Sequence, residues 1–267
     1  MDPLLILALL AMGAFGGFAA GLLGIGGGMI LVPFITMVLT ARGVPDALVV
    51  HMAIATSLAT IMFTSLSSVR AHHKHGAVVW RIVKLLAPGI VVGSMIGPWI
   101  GKQMTASTLA WFFGAFVAFS ATQMLVNKKP AAARDLPGTP GMFAAGGLIG
   151  ILAGLVGAGG GFISVPFMTW CGVRIHSAVA TSAALGFPIA LAGTVANVFY
   201  GWGEPGLPDY SLGYIYLPAL LIIVAASVTM APLGARTAHR MPVRRLQKVF
   251  AVILYTLATY MFWKAFQ

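Results

Sequence analysis

Two polar pairs stand in otherwise apolar sequence, Thr56-Ser57 and Thr181-Ser182. Each follows a histidine at the same spacing, in His51-M-A-I-A-T-S and His176-S-A-V-A-T-S. Hydroxyls donate hydrogen bonds without bringing a competing negative charge, which suits an oxyanion. A glycine cluster lies upstream of each pair: Gly24, Gly26, Gly27 and Gly28 before the first, Gly157, Gly159, Gly160 and Gly161 before the second. Each glycine inside a helix costs about 1 kcal/mol relative to alanine, so such a cluster breaks the helix. The helix that restarts after it offers bare N–H groups and a positive dipole end, an anion site in outline. Asn197 adds an amide that fits either a substrate contact or a bridge between helices. His51 and His176 are candidates for gating or proton-linked roles. Their places at the starts of apolar segments favour an interfacial role. Five helical residues turn through about 140°, so each histidine need not share a face with its threonine.

Competing readings bound these assignments. A hydroxyl in an apolar helix commonly bonds back to the preceding turn. Gly13, Gly17 and Gly21 recur every fourth residue, as do Gly146, Gly150 and Gly154. That spacing reads as close helix packing, not as a ligand site. The later glycines exceed what packing needs, and unwound backbone at membrane depth survives only where protein buries it or it lines a cavity. Neither cluster is a dinucleotide fingerprint or a P-loop. His72, His73 and His75 fall in a basic loop with no carboxylate or cysteine support for a metal. Cys171 is alone, so a disulfide framework is excluded. No cofactor is called for. An intramembrane enzyme would need H-E-x-x-H, paired carboxylates or a Ser/His dyad at one depth, and none is present.

The elements that position these groups form a duplication. Gly17–Phe34, GFAAGLLGIGGGMILVPF, returns as Gly150–Phe167, GILAGLVGAGGGFISVPF, with twelve of eighteen positions identical. Each copy reads as two apolar arms joined by an unwound turn, a broken or re-entrant hairpin. After the first come spans near Leu48–Val69, Ile82–Gly101 and Ser107–Val126. After the second, at Met142–Gly172, come spans near Ser177–Phe199, Gly213–Ala235 and Gln247–Phe266. Gly93, Gly97, Pro98 and Gly101 match Ser227, Ala231, Pro232 and Ala235. The chain therefore divides into a first repeat at 1–126, a cytoplasmic linker at 127–141 rich in proline and charge, and a second repeat at 142–267.

The class follows from composition. Of 267 residues, 59% are hydrophobic and 8% charged, with a mean hydropathy of +0.96. Apolar runs of roughly 20 residues are the signal of membrane-spanning helices. The expectation is an all-α polytopic membrane protein. The start, Met1-Asp2-Pro3, lacks a basic segment, so a cleaved signal peptide is not expected. The net charge of +11 does not mark a nucleic-acid partner. Twelve of the sixteen Lys and Arg residues lie in three short loops: Arg70, Lys74, Arg81 and Lys84; Lys128, Lys129 and Arg134; Arg236, Arg240, Arg244, Arg245 and Lys248. This is the positive-inside pattern, with membrane lipids as neighbours.

Placing all three loops on the cytoplasmic side requires each hairpin to return to its own face. Each half then makes an odd number of crossings, and the halves are inverted. The loop Tyr200–Asp209, with Glu204 and Asp209, falls outside, together with Asp2 and Asp46. Inverted repeats with broken helices are an architecture of secondary transporters. No Asp or Glu lies within a span, although proton- or sodium-coupled carriers commonly need one.

The doubled G-x-G-G-G-x-x-x-V-P-F, each followed by an A-T-S helix, resembles the sulfite exporter TauE/SafE family of bacterial membrane permeases. The resemblance covers nearly the whole chain. It implies a transporter in the bacterial inner membrane for sulfite or an organosulfonate such as sulfoacetate. The function expected is export of such an anion by alternating access, with import or a passive channel for the same anions as the alternative. The expected site sets the glycine N–H groups and the Thr/Ser pairs around one anion. Counting at 1.5 Å per residue from opposite faces puts the pairs roughly 10 Å apart.

Overall fold

The structure is a computed structural model that describes residues 3–24, 26–126, 135–238 and 243–266. Much of the 127–141 linker, with Lys128, Lys129 and Arg134, lies outside the described residues, as do Asp2 and Arg240.

Ten helices carry the described chain: α1 (Pro3–Leu23), α2 (Gly28–Ala41), α3 (Asp46–Lys74), α4 (Trp80–Gln103), α5 (Ala106–Val126), α6 (Thr139–Val156), α7 (Gly161–Trp170), α8 (Ile175–Tyr200), α9 (Leu217–Ala238) and α10 (Val243–Ala265). Seven of them are long and apolar enough to cross a membrane. α2 and α7 are the short arms that follow the glycine turns, with 14 and 10 residues. Thus each half is a broken hairpin plus three long helices, as the duplicated sequence requires.

Three departures refine this picture. α3 runs to Lys74, so Arg70, His72 and Lys74 are helical and not in a loop. At 29 residues it measures about 43 Å, longer than the ~30 Å hydrocarbon core, and its last turn carries His72, His73 and Lys74. The span expected from Gly213 begins at Leu217. Before it, β1 (Ser211–Leu212) pairs antiparallel with β2 (Ile215–Tyr216) across a turn at Gly213. Finally, α1 has 21 residues, long enough to cross by itself, so the two arms of the first hairpin are unequal.

Packing exchanges partners between the halves. A Cβ added at Gly13 or Gly17 would strike the backbone of Ile223 or Ser227, and one at Gly21 would strike Ala231. The contacts advance together, so α1 and α9 run parallel. In the same way Gly146 and Gly150 of α6 lie against the backbone of Leu86 and Ile90 in α4. The four-residue glycine spacing is therefore packing, as read from the sequence. α3 and α8 cross at the centre: Leu58 touches Gly193 and Ser65 touches Gly186. One index rises as the other falls, so these two helices run in opposite directions. α5 and α10 pair at the side, with Thr122 bonded to Tyr255 and Trp111 against Phe266.

Candidate functional site

Each glycine cluster unwinds the chain through left-handed residues. Gly24 and Gly157 both have φ of 67°, and the residues before α2 and α7, Gly27 and Gly160, have φ of 76° and 73°. A side chain there meets strain in any surroundings. The two turns lie against each other. A Cβ at Gly26 would stand 2.7 Å from the Cα of Gly159, and one at Gly28 would fall on the carbonyl of Gly157. Gly26 and Gly159 are matching positions of the duplication, so the turns cross where the halves meet.

The N–H groups at the head of each short arm are buried with the turns. Gly28 and Met29 are buried, as are Gly161 and Phe162. Among the described residues, no backbone carbonyl accepts the N–H of Gly26, Gly27, Gly28 or Met29, or of Gly159, Gly160, Gly161 or Phe162. These are orphan donors of the kind a helix start leaves, and all but those of the half-buried Gly26 belong to buried residues.

The serines of the two polar pairs reach these turns from the opposite half. Ser57 Oγ donates to the carbonyl of Gly157 at 2.9 Å, and Ser182 Oγ donates to the carbonyl of Gly24 at 2.9 Å. Ser164 Oγ in turn donates to Ser182 Oγ. All three serines are fully buried.

The threonines face elsewhere. Thr56 Oγ1 accepts the N–H of Tyr216, just ahead of α9, at 3.0 Å. Thr181 Oγ1 accepts the N–H of Val79, just ahead of α4, also at 3.0 Å. They secure the starts of two long helices. Adjacent helical residues point about 100° apart, which separates each threonine from its serine. Distance also separates the pairs. The α3–α8 contacts set Thr181 level with residue 70 of α3, about 21 Å along the axis from Thr56. One small anion does not bridge that gap, so the roughly 10 Å expected from chain counting is not met. The count from the helix ends took both helices as no longer than the membrane is thick.

Asn197 is buried, and its Nδ2 donates to the carbonyl of Gly193 at 2.7 Å. It lines a small pocket with His51, Gly154, Leu155, Gly101 and Tyr214. The pocket opens beside the second glycine turn, two residues from Gly157. His51 sets Nδ1 3.1 Å from the carbonyl of Ala47 and Nε2 3.0 Å from that of Gly101, tying α3 to the end of α4. Tyr214 donates to Glu204 at 3.3 Å. Burial first, then the Glu204 charge and this bond, push its hydroxyl up to about 12, so it remains a donor. His176 is exposed at the head of α8, away from the glycine turns.

One pair escaped the sequence reading. His72 is buried, with Nε2 3.0 Å from the carbonyl of Gly21. It follows His51 at the spacing by which Asn197 follows His176. His72 thus abuts the first arm of one hairpin as Asn197 abuts that of the other. The His-to-polar spacing was the available signal. His73 instead packs edge-on to Trp80 and accepts its Nε1–H, so the neighbouring histidines diverge. Among the described residues, no group of three His, Cys, Asp or Glu side chains is placed to hold a metal.

Comparison with known proteins places this arrangement. The family profile described as sulfite exporter TauE/SafE matches residues 9–261. A probable membrane transporter protein of Haemophilus influenzae is 41% identical over 97% of this chain and 98% of its own length. A probable membrane transporter protein of Methanocaldococcus jannaschii is 25% identical over 97% and 96%. YunE of Bacillus subtilis, also named a probable membrane transporter protein, is 26% identical over 92% and 93%. No solved structure matches the chain. Glycine-broken hairpins, long apolar helices and a match across nearly the whole length agree: the chain is a multi-pass membrane transporter and belongs to the sulfite exporter TauE/SafE family.

Proposed function

We propose that the protein is a secondary transporter that exports a small sulfur-containing anion, sulfite or an organosulfonate such as sulfoacetate, across the bacterial inner membrane by alternating access. The observation that carries this reading is the pair of crossing glycine turns. Among the described residues, eight backbone N–H groups, at Gly26 to Met29 and Gly159 to Phe162, find no backbone carbonyl to bond. Two helix starts, α2 and α7, add their positive ends. Such a centre favours an anion without a buried Arg or Lys. The sulfur chemistry rests on the family description.

The exchange of partners between halves and the opposed directions of α3 and α8 support reading 1–126 and 142–267 as inverted repeats. The substrate contacts then come from Gly26, Gly27 and Gly28 with Gly159, Gly160 and Gly161. Asn197 and His51 line the approach. Ser57 and Ser182 hold the turns, and Thr56 and Thr181 hold the helices around them. The one acidic residue of these helices, Asp46, stands exposed in the first turn of α3 and not in the middle of a span, so the inside-negative potential drives the anion out, at about 2.3 kcal/mol per charge per 100 mV.

Reconstituted liposomes test this reading. Radiolabelled sulfite, sulfate, sulfoacetate and taurine are offered in turn, and uptake is followed with and without a potassium–valinomycin potential. Saturable flux with counterflow, responding to the potential, is the expected result for sulfite or sulfoacetate. Unsaturable flux points to a channel, and flux indifferent to the potential overturns the coupling.

A further inference from the structure

The segment 201–216, between α8 and α9, does not stay at the surface. Thr56, which holds the N–H of Tyr216, stands ten residues along α3 from its head at Asp46. That is about 15 Å of helix, against a ~30 Å hydrocarbon core. Tyr214, Ile215 and Tyr216 are all buried there. Tyr214 shares the small pocket with Gly154 and Leu155, which lead into the second glycine turn. The segment is thus a strap that dips between its own end of the bundle and that turn.

The seated strap carries two costs. Tyr210 has φ of 63°, and among the described residues no other non-glycine residue is left-handed. For a bulky side chain that backbone is strained. The side chain is exposed, so packing does not hold it; the N–H of Leu217 does, by donating to the Tyr210 carbonyl at 3.2 Å. Next to it, the Ser211 hydroxyl is buried and finds no hydrogen-bond partner among the described residues. Against these costs stand a few ties. Tyr216 N–H bonds to Thr56, Tyr214 N–H reaches the Asn197 carbonyl at 3.4 Å, and Glu204 lies 3.8 Å from Lys102. The turn 75–79, which Thr181 holds at the other end of the bundle, carries neither cost.

We infer that the 201–216 strap is the outer gate of the carrier: it lifts away from Thr56 to open the second glycine turn to the outside, and the strain at Tyr210 and the unmet hydroxyl of Ser211 are relieved when it does. This inference rests on the reading of the turns as the substrate site and of this loop as external. Strain stored in a closed position lowers the work of opening. Thr56 is then the latch that offsets that strain, and Tyr214 is the part of the strap that covers the pocket.

Labelling rates test it without any substrate. In a Cys171→Ser background, Leu155→Cys places a thiol in the pocket under the strap. A small, impermeant, cationic thiol reagent added outside then reads how often the strap lifts. Tyr210→Asn fits the left-handed backbone better, and Ser211→Ala removes the unmet hydroxyl, so each should slow labelling several-fold. Thr56→Val, which removes the latch, should speed it by a similar factor. Rates that ignore both Tyr210→Asn and Ser211→Ala overturn the inference, as does labelling that occurs only from the cytoplasmic side. Transport supplies a second reading. With Lys102→Cys and Glu204→Cys joined by a short reducible cross-linker, sulfite or sulfoacetate flux in liposomes should fall at least about tenfold and return on reduction. Undiminished flux through the cross-linked protein overturns the gate and leaves the anion site standing. If the wild type moves none of these anions, the substrate reading fails, while the labelling rates still decide whether the strap opens.

Discussion

The hydroxyl oxygen of Thr56 accepts the backbone N–H of Tyr216 at 3.0 Å, across 160 positions of sequence. Thr181 does the same for Val79. In each case an α3 or α8 side chain fixes the start of the long helix that flanks a hairpin of the other half.

Removing either hydroxyl should therefore cost stability before it costs affinity. Thr56→Val and Thr181→Val each leave a backbone N–H without a partner, a loss of about 1–3 kcal/mol. Thr56→Ser keeps the oxygen and should recover most of it. Thermal unfolding in detergent checks this. Valine variants with wild-type melting temperatures would show that these bonds are replaced by others.

Gly27 and Gly160 give a steeper prediction. A Cβ at Gly27 would stand 2.5 Å from the carbonyl of Gly16, and one at Gly160 would stand 2.6 Å from Ile189 Cδ1. Both positions also have left-handed φ. Gly27→Val and Gly160→Val should abolish transport by deforming the hairpin against its own packing, not by filling the substrate's place. Gly27→Ala should already be destabilised by roughly 1–2 kcal/mol. Size-exclusion profiles and liposome flux, taken together, separate misfolding from a folded but idle protein.

Lys264 and Asp46 form an unequal ion pair at 2.6 Å, the lysine side chain 7% exposed and the aspartate 79%. Asp46→Asn strips the buried cation of its counter-charge, whereas Lys264→Met removes the cation and keeps its apolar stem. The first should lower stability by about 1.5–3 kcal/mol, the second by less. Unfolding curves for the two variants should keep that order, and the reverse order would mean that the lysine is hydrated.

Orientation is tested by labelling in a Cys171→Ser background. Glu204→Cys should react with an impermeant reagent from outside, and Arg236→Cys only after the membrane is opened. Both positions are described and at least partly exposed. Labelling of both from one side would sink the inverted arrangement.

The sequence made the hairpins readable because glycine leaves a mark that no packing can disguise. Gly24 to Gly28 cannot continue a helix in any surroundings, and its repetition at Gly157 to Gly161 doubles the signal. The helix-packing glycines were readable for the same reason: only a missing side chain permits the backbone of Gly17 to meet that of Ser227. Thr56 and Ser57 were readable as polar groups in an apolar helix, but not in their roles. Their bearing around the helix axis decides whether Tyr216 or Gly157 is the partner, and that bearing means nothing until the neighbouring helices are placed. His72 was misplaced because hydropathy locates where a helix leaves the membrane, not where it ends. The β1–β2 turn was overlooked because two-residue strands leave almost no periodic trace.

The pairing of α1 with α9 also sets a schedule for synthesis. The glycine face of α1 is complete when the first 23 residues have emerged, but Ile223 and Ser227, which it packs against, come roughly 200 residues later. At about 5–20 residues per second the ribosome needs on the order of 10–40 s to supply them. During that interval a helix built to touch backbone has only lipid, or the insertion machinery, along its bare side. α6 and α4 face no such delay, since α4 precedes its partner. The first hairpin is thus the last to find its seat, and a chain stalled before α9 would display an unfilled glycine groove to the cell's quality control.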